Sequence, residues 1–223
     1  MPRRSILSAA ERERLLAVPD THEDLIRHYT FSQADIAIIR QRRGPANRLG
    51  FAVQLCYLRF PGIILGVTQA PFPPLLKLVA DQLKVADAHW DDYGQREQTR
   101  RERLLELQAW LGMTLFSAAD YLRCLHQMAA LAQQTDRGIV LAEALVALLR
   151  QERIILPALD VIERVCSEAL TRGTRQVYEA LTAPLLDHHH RALDGLLAIR
   201  EGTKGSGRIW LRQPPGPPKP WHL

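Results

Sequence analysis

Residues 38 to 62 read Ile-Ile-Arg-Gln-Arg-Arg-Gly-Pro-Ala-Asn-Arg-Leu-Gly-Phe-Ala-Val-Gln-Leu-Cys-Tyr-Leu-Arg-Phe-Pro-Gly, and the rest of the chain is organised around this stretch. We expect Gly44 to end a first helix as its left-handed C-terminal cap. Pro45 suits the first turn of a second helix, where an N–H would have no partner anyway. Residues 60 to 62 should then end that helix. Because apolar residues cover almost all of its sides, the second helix is predicted to be buried.

Basic and amide side chains surround the start of this second helix. Arginines there oppose the helix dipole, which favours an anion such as a nucleic-acid phosphate as the ligand. Arginines would then anchor the DNA backbone, and Asn47 or Gln54 could reach a base edge. The candidate DNA contacts, which we call the basic turn, are Arg40, Arg42, Arg43, Asn47, Arg48 and Gln54. The alternative is a solvated loop beside a core helix.

The position of these polar residues limits the mode of contact. Few polar residues lie along the second helix, so we expect its N-terminal end to meet DNA more than its side. Asn47 and Gln54 are expected to lie off the apolar faces that form the core, and their replacement should not unfold the protein.

A second basic segment covers residues 95 to 103. Arg96, Arg100 and Arg103 recur at i, i+4 and i+7 and therefore share one helix face, with Thr99 at its edge. These four residues are further candidate DNA contacts, since such a stripe could follow the DNA backbone. The alternative is a solvent face held by salt bridges.

Helix signals recur along the chain and predict an all-α fold of helix-turn-helix-like bundles. Capping patterns begin at Ser8, Thr21, Ser32 and Ser117, and two prolines at 73–74 open another helix. The helices expected around the basic turn are joined by a short glycine-containing turn, which is helix-turn-helix spacing. Later helices are expected at about 95–111, 139–151, 158–172, 174–182 and 185–200.

Two further features complete the predicted organisation. Ile154 to Leu156 is the only short strand candidate. We expect a helical DNA-binding module with the helix-turn-helix-like pair at 1–66, a second helical DNA-binding module at 67–200, and a disordered Gly/Pro-rich tail at 201–223.

Composition narrows the class of protein. The 223 residues carry a formal charge of +5, which favours an anionic partner. With no signal peptide or membrane span expected, the protein is predicted to be cytoplasmic. The three cysteines Cys56, Cys124 and Cys166 lie far apart on apolar helix faces and should be reduced core residues.

No catalytic residue, metal site or cofactor is predicted from the motifs of this chain. The adjacent histidines at 188–190 point about 100° apart on a helix, so they cannot converge on one ion. Asp91 and Asp92 fit a helix boundary better than a two-metal site.

The stretch from Arg42 to Gly62 resembles the replicative transposases of the Tn3 family. Five other segments fit the same family: residues 2–11, 70–75, 93–101, 135–140 and 155–158. By this resemblance the chain is an N-terminal region, truncated before an Asp-Asp-Glu catalytic domain that binds Mg²⁺. Such N-terminal regions recognise the terminal inverted repeats of the transposon. The resemblance places both arginine-rich segments in the repeat-binding region and implies a bacterial, nucleoid-associated protein.

Two functions of different class remain open. The first is sequence-specific binding of double-stranded inverted-repeat DNA, as part of a transposase for replicative DNA transposition. The alternative is a helical interaction fragment that dimerises with, or interferes with, full-length transposase. An enzyme is disfavoured because the resemblance assigns catalysis to a region that this sequence does not include.

Overall fold

The structure is a computed structural model that describes residues 5–66, 69–93 and 97–197, with the backbone alone at 97–100 and 197. The predicted tail at 201–223 and Arg96 lie outside the described residues. The all-α prediction is confirmed, since the described residues form ten α-helices and two strands of two residues each. The helices are α1 (Ala9–Leu15), α2 (His22–Tyr29), α3 (Gln33–Arg40), α4 (Pro45–Arg59), α5 (Pro73–Leu83), α6 (Glu97–Leu111), α7 (Ala118–Leu131), α8 (Gly138–Gln151), α9 (Leu159–Thr182) and α10 (Asp187–Leu197).

Side-chain caps fix the starts of four of these helices, as predicted. Ser8, Ser32 and Ser117 each accept a hydrogen bond from the backbone N–H three residues later, and each belongs to a complete capping box. Thr21 caps α2 in the same way through Asp24 N–H. Each cap satisfies one of the N–H groups that a helix start leaves without an intrahelical partner.

The α4 helix is the buried helix that the sequence predicts. It begins at Pro45 and ends at Arg59, before Phe60, and every residue from 49 to 58 except Gln54 is buried. The expected role of Gly44 is wrong, because α3 already ends at Arg40 and Gly44 is the N-cap of α4. Its φ of +76° suits glycine, and the following proline favours the extended ψ that it adopts.

Residues up to Thr174 form one compact unit with two apolar clusters. One cluster surrounds α4 with side chains of α2, α3, α5 and α6. The other joins α1, α7, α8 and the first half of α9. Between them, the Leu156 N–H donates to the Gly62 carbonyl (2.8 Å), and Arg150 Nε donates to the Pro61 carbonyl (2.8 Å). The residues that end α4 are therefore held by the second cluster.

Two long-range features differ from the sequence-based expectation. The strand β2 (Ile154–Ile155) lies at the expected position, but its parallel partner β1 (Thr114–Leu115) was not predicted. The two helices expected at 158–172 and 174–182 are one helix, α9. Gly173 does not interrupt it because it is buried against Ala129 of α7 and Ala132, the residue after that helix. Close packing, not a turn, is the reason for this glycine.

A second unit begins at Arg175 and includes the end of α9 and α10. Several large apolar side chains of this unit are exposed: Tyr178, Leu181, Leu186 and Leu193. The sequence-based domain limits near residues 66 and 200 stay predictions. None of the helices that the structure describes is long and apolar enough to cross a membrane.

Candidate nucleic-acid interface

The exposed part of the basic turn consists of three arginines around the start of α4. Arg40, Arg43 and Arg48 are exposed, and none of them has a carboxylate partner among the residues that the structure describes. The first turn of α4 carries no acidic residue. Positive side chains and the positive end of the helix dipole therefore act together here, as an anion site requires.

Arg42 differs from its neighbours because it is buried. Its Nη1 and Nη2 donate to the two carboxylate oxygens of Glu106 in α6, each at 2.6 Å. Its guanidinium also lies over the Phe51 ring, 4.9 Å from the centroid. A two-pronged pair of this kind fixes geometry as well as charge. In this structure Arg42 is thus held inside the protein.

The same carboxylate brings the two arginine-rich segments together. Arg103 Nη1 lies 3.7 Å from Glu106 Oε2, one helical turn away on α6. Two guanidinium groups, one from each basic segment, therefore flank Glu106. Arg96 lies outside the described residues, and only the backbone is described for Thr99 and Arg100.

The two amide side chains have intramolecular partners. Asn47 Nδ2 donates to the Arg43 carbonyl at 2.9 Å. Gln54 binds the backbone of Leu65 at both ends of its amide, donating to the carbonyl (3.0 Å) and accepting from the N–H (3.3 Å). Asn47 lies near the exposed arginines, whereas Gln54 lies two turns further along α4 and secures the segment after it.

A buried carboxylate sets the position of α3 against α4. Asp35 of α3 accepts hydrogen bonds from Arg59 of α4 and from the Ser32 hydroxyl and N–H. Burial raises the pKa of Asp35, but the hydrogen bonds from Arg59 and Ser32 outweigh it and hold the pKa below its ordinary value. The helix pair that carries the basic turn is therefore locked at its far end by an ionised pair.

Sequence reasoning did not identify Glu106 as part of this site. Its partner Arg42 lies 64 residues earlier, and a glutamate in an arginine-rich helix suggests only local pairing. The weak signal that could have found it is the spacing of Arg103 and Glu106, which puts both on the same face as the predicted stripe.

The three cysteines are free and buried, as predicted. Burial raises the pKa of the Cys166 thiol to about 12, so it stays protonated at neutral pH.

Comparison with known proteins places this geometry in context. The family model described as "Domain of unknown function (DUF4158)" matches residues 6–169. The transposase for transposon Tn21 from Escherichia coli is 60% identical over all of this chain and 23% of its own length. The transposase for transposon Tn3926 from Escherichia coli is 58% identical over all of this chain and 22% of its own length. The transposase for transposon Tn501 from Pseudomonas aeruginosa is 49% identical over all of this chain and 23% of its own length. The chain thus spans less than a quarter of these relatives.

Proposed function

This chain belongs to the DUF4158 family and matches the N-terminal region of Tn3-family transposases, and from this premise we propose that it binds double-stranded DNA at the terminal inverted repeats of a transposon. In the proposed role it is the recognition part of a transposase for replicative transposition. The observation that carries the proposal is the group of exposed arginines Arg40, Arg43 and Arg48 without carboxylate partners among the described residues.

Phosphate is an energetically favourable ligand for these arginines. Three exposed positive charges near one helix start repel each other and oppose the dipole of α4. DNA phosphates remove both penalties, and their release of counterions adds a favourable, salt-dependent term. Because phosphate contacts carry no sequence information, we assign base reading to Asn47 and to side chains close to it.

The test is DNA binding by fluorescence anisotropy across a salt series. One duplex carries the terminal inverted repeat of the cognate transposon, and the other has the same bases in scrambled order. We expect tighter binding of the repeat, and removal of one arginine–phosphate pair should lower the salt slope by about 0.9. Arg40→Ala and Arg43→Ala should each show this decrease on both duplexes.

Arg27→Ala is the matched control for these variants. Arg27 is also exposed, but it lies near Glu23 and Asp24 on α2. Its removal changes the net charge equally and should leave the salt slope close to that of the unaltered protein. Equal affinity for the repeat and the scrambled duplex would reject sequence-specific binding. If Arg40→Ala and Arg43→Ala behave like Arg27→Ala, the basic turn is a solvated loop.

A second candidate function is protein interaction, and the exposed apolar residues of the second unit favour it. Tyr178, Leu181, Leu186 and Leu193 are each at least half exposed. An exposed apolar patch is typical of interaction sites, and we propose that these four side chains contribute to one. Sedimentation of the protein over a range of concentrations would detect self-association, and co-sedimentation with full-length transposase would detect the other proposed partner.

A further inference from the structure

We propose that Glu106 is a positioning residue that joins the two arginine-rich segments into one DNA-binding surface. This inference rests on the proposed DNA-binding function and goes beyond it, because Glu106 is acidic and is not itself proposed to contact DNA. The juxtaposition that carries it is the Glu106 carboxylate between the guanidinium groups of Arg42 and Arg103.

The α6 helix contacts the basic turn through the pair of Glu106 and Arg42. The Arg42 side chain is only 9% exposed, and both of its terminal nitrogens bond to Glu106. Breaking such a pair would leave an uncompensated charge against the apolar Phe51 ring. Arg42 and Glu106 are therefore held as a rigid unit, and this unit ties α6 to the turn between α3 and α4.

Arg42 also forms hydrogen bonds with other residues of its own turn. The Arg42 carbonyl accepts a hydrogen bond from Arg48 Nε at 2.9 Å. Its Nη2 also donates to Gln41 Oε1 at 3.2 Å. The position of Arg42 thus fixes the backbone of the turn and one nitrogen of Arg48. Through Arg42, Glu106 determines where the exposed arginines of the turn are presented.

Glu106 also lies close to an arginine of its own helix, Arg103. Arg103 is 25% exposed on its side chain, so part of it faces solvent while one nitrogen lies 3.7 Å from Glu106. Arg103 belongs to the second arginine-rich segment, and Arg48 belongs to the first. One carboxylate thus sets the separation of cations from two segments that are far apart in sequence. A fixed separation lets both segments bind phosphates of one duplex.

The sign of the effect distinguishes this role from simple electrostatics. An acidic side chain near DNA repels phosphates, so its removal should strengthen binding to every duplex if charge alone matters. If Glu106 positions the arginines, its removal should weaken binding instead. Glu106→Gln is suited to this test because it removes the charge and keeps the size.

The experiment compares three variants on the repeat and scrambled duplexes across the salt series. We expect Glu106→Gln to bind the repeat about tenfold more weakly, which corresponds to about 1.4 kcal/mol. Its salt slope should fall by about 0.9 for each phosphate that the protein no longer binds, which a merely stabilising residue would not cause in the folded protein. Glu106→Asp keeps the carboxylate and should recover most of the affinity. Glu13→Gln removes the same charge from an exposed position on α1 and should not weaken binding.

Circular dichroism of each variant checks that α-helical content is retained. If Glu106→Gln does not fold, Arg103→Gln and Arg42→Lys replace it in the test. Arg103→Gln leaves the buried pair intact and should lower the salt slope, whereas Arg42→Lys keeps the charge but cannot form the two-pronged contact, so it should weaken binding. Unchanged affinity and slope in both variants would overturn the proposal.

The outcomes separate this inference from the proposed function. Absence of repeat-specific binding by the unaltered protein rejects the proposed function, and this inference with it. Repeat-specific binding by the unaltered protein, with Glu106→Gln binding as tightly or more tightly, rejects the inference alone. Weaker binding and a lower slope for Glu106→Gln, with recovery in Glu106→Asp, support it.

Discussion

Gln54 is a polar residue in the most buried helix, and both ends of its amide bond to the Leu65 backbone. Replacement by alanine would leave the Leu65 N–H and carbonyl without these partners. We expect Gln54→Ala to lower the free energy of unfolding by about 1–3 kcal/mol. Urea unfolding monitored by circular dichroism measures this change. DNA affinity of the folded fraction should be retained, so a stable variant without sequence discrimination would contradict the structural role.

Asn47→Ala is the matched comparison for that variant. Asn47 is also an amide on α4, but it donates one hydrogen bond to the Arg43 carbonyl near the exposed arginines. We expect a smaller decrease in stability and a weaker discrimination between repeat and scrambled duplexes. A bidentate contact with one base pair corresponds to about 1–3 kcal/mol of discrimination.

Ionisation of Asp35 makes the free energy of unfolding depend on pH in the acidic range. Its pKa in the folded protein lies below the ordinary value of 3.8, so its carboxylate form is favoured by folding. The resulting stabilisation is fully present above the unfolded pKa and is lost as pH falls through the folded pKa. We expect Asp35→Asn to be less stable than the unaltered protein at pH 7 and to show a flatter loss of stability below about pH 4. Unfolding at several pH values tests this, and parallel curves would contradict it.

The size of the Asp35→Asn effect follows from the exposure of its partner. Removing one member of a fully buried ion pair costs about 3–5 kcal/mol. The Arg59 side chain is 27% exposed, so it can regain water when the carboxylate is removed, and we expect a decrease in stability below that range.

Single residues also show what sequence can predict about this site. Arg42 and Arg43 are adjacent and chemically identical, and local sequence offers no reason to separate them. One is buried by Glu106, and the other is exposed, because burial depends on a residue 64 positions away. Local sequence was enough to predict that arginines cluster at the start of α4. It could not predict which of these arginines is buried in an ion pair and which are exposed to solvent.

At the scale of elements, close packing explains why a glycine stands at position 173 inside the continuous helix α9. A Cβ at this position would lie 2.8 Å from the Ala132 Cβ and 2.9 Å from the Ala129 carbonyl oxygen. Such overpacking costs about 1–3 kcal/mol, which outweighs the gain of about 1 kcal/mol in helix propensity. We therefore expect Gly173→Ala to lower the melting temperature measured by circular dichroism.

Gly195→Ala is the control for this effect. Gly195 lies in α10, and among the described residues a Cβ built there meets nothing within 4 Å apart from its chain neighbours and its own helix backbone. Alanine should therefore stabilise α10 by up to about 1 kcal/mol. If both alanine variants raise stability, the close approach at Gly173 has no energetic effect.

Helix boundaries were predictable where local chemistry determines them. Ser8, Ser32 and Ser117 each cap a helix within three residues of sequence, and Pro45 begins α4 as expected. The pairing of β1 with β2 and the continuation of α9 depend on contacts between residues about 40 positions apart. Local patterns contain no information about those contacts, which is why neither feature was predicted.

At the scale of the whole molecule, the proposed DNA recognition and the strand chemistry expected of a catalytic domain should differ in their need for a metal ion. The chain spans 22–23% of the transposases that it resembles, and arginine–phosphate contacts need no divalent cation. We predict that the 223-residue protein binds repeat DNA as tightly with EDTA as in buffer without added metal, and that it neither cleaves nor joins strands when Mg²⁺ is added.

Mg²⁺ should in fact weaken binding, because it neutralises the same phosphates that Arg40 and Arg43 are proposed to contact. The measurement is anisotropy of the labelled repeat duplex with EDTA and with increasing Mg²⁺, followed by a denaturing gel of the same samples. The scrambled duplex is the control for a general ionic effect and should lose affinity in parallel. Loss of binding in EDTA would indicate a metal-dependent site, and a Mg²⁺-dependent nick or joined product would show that this chain performs strand chemistry itself.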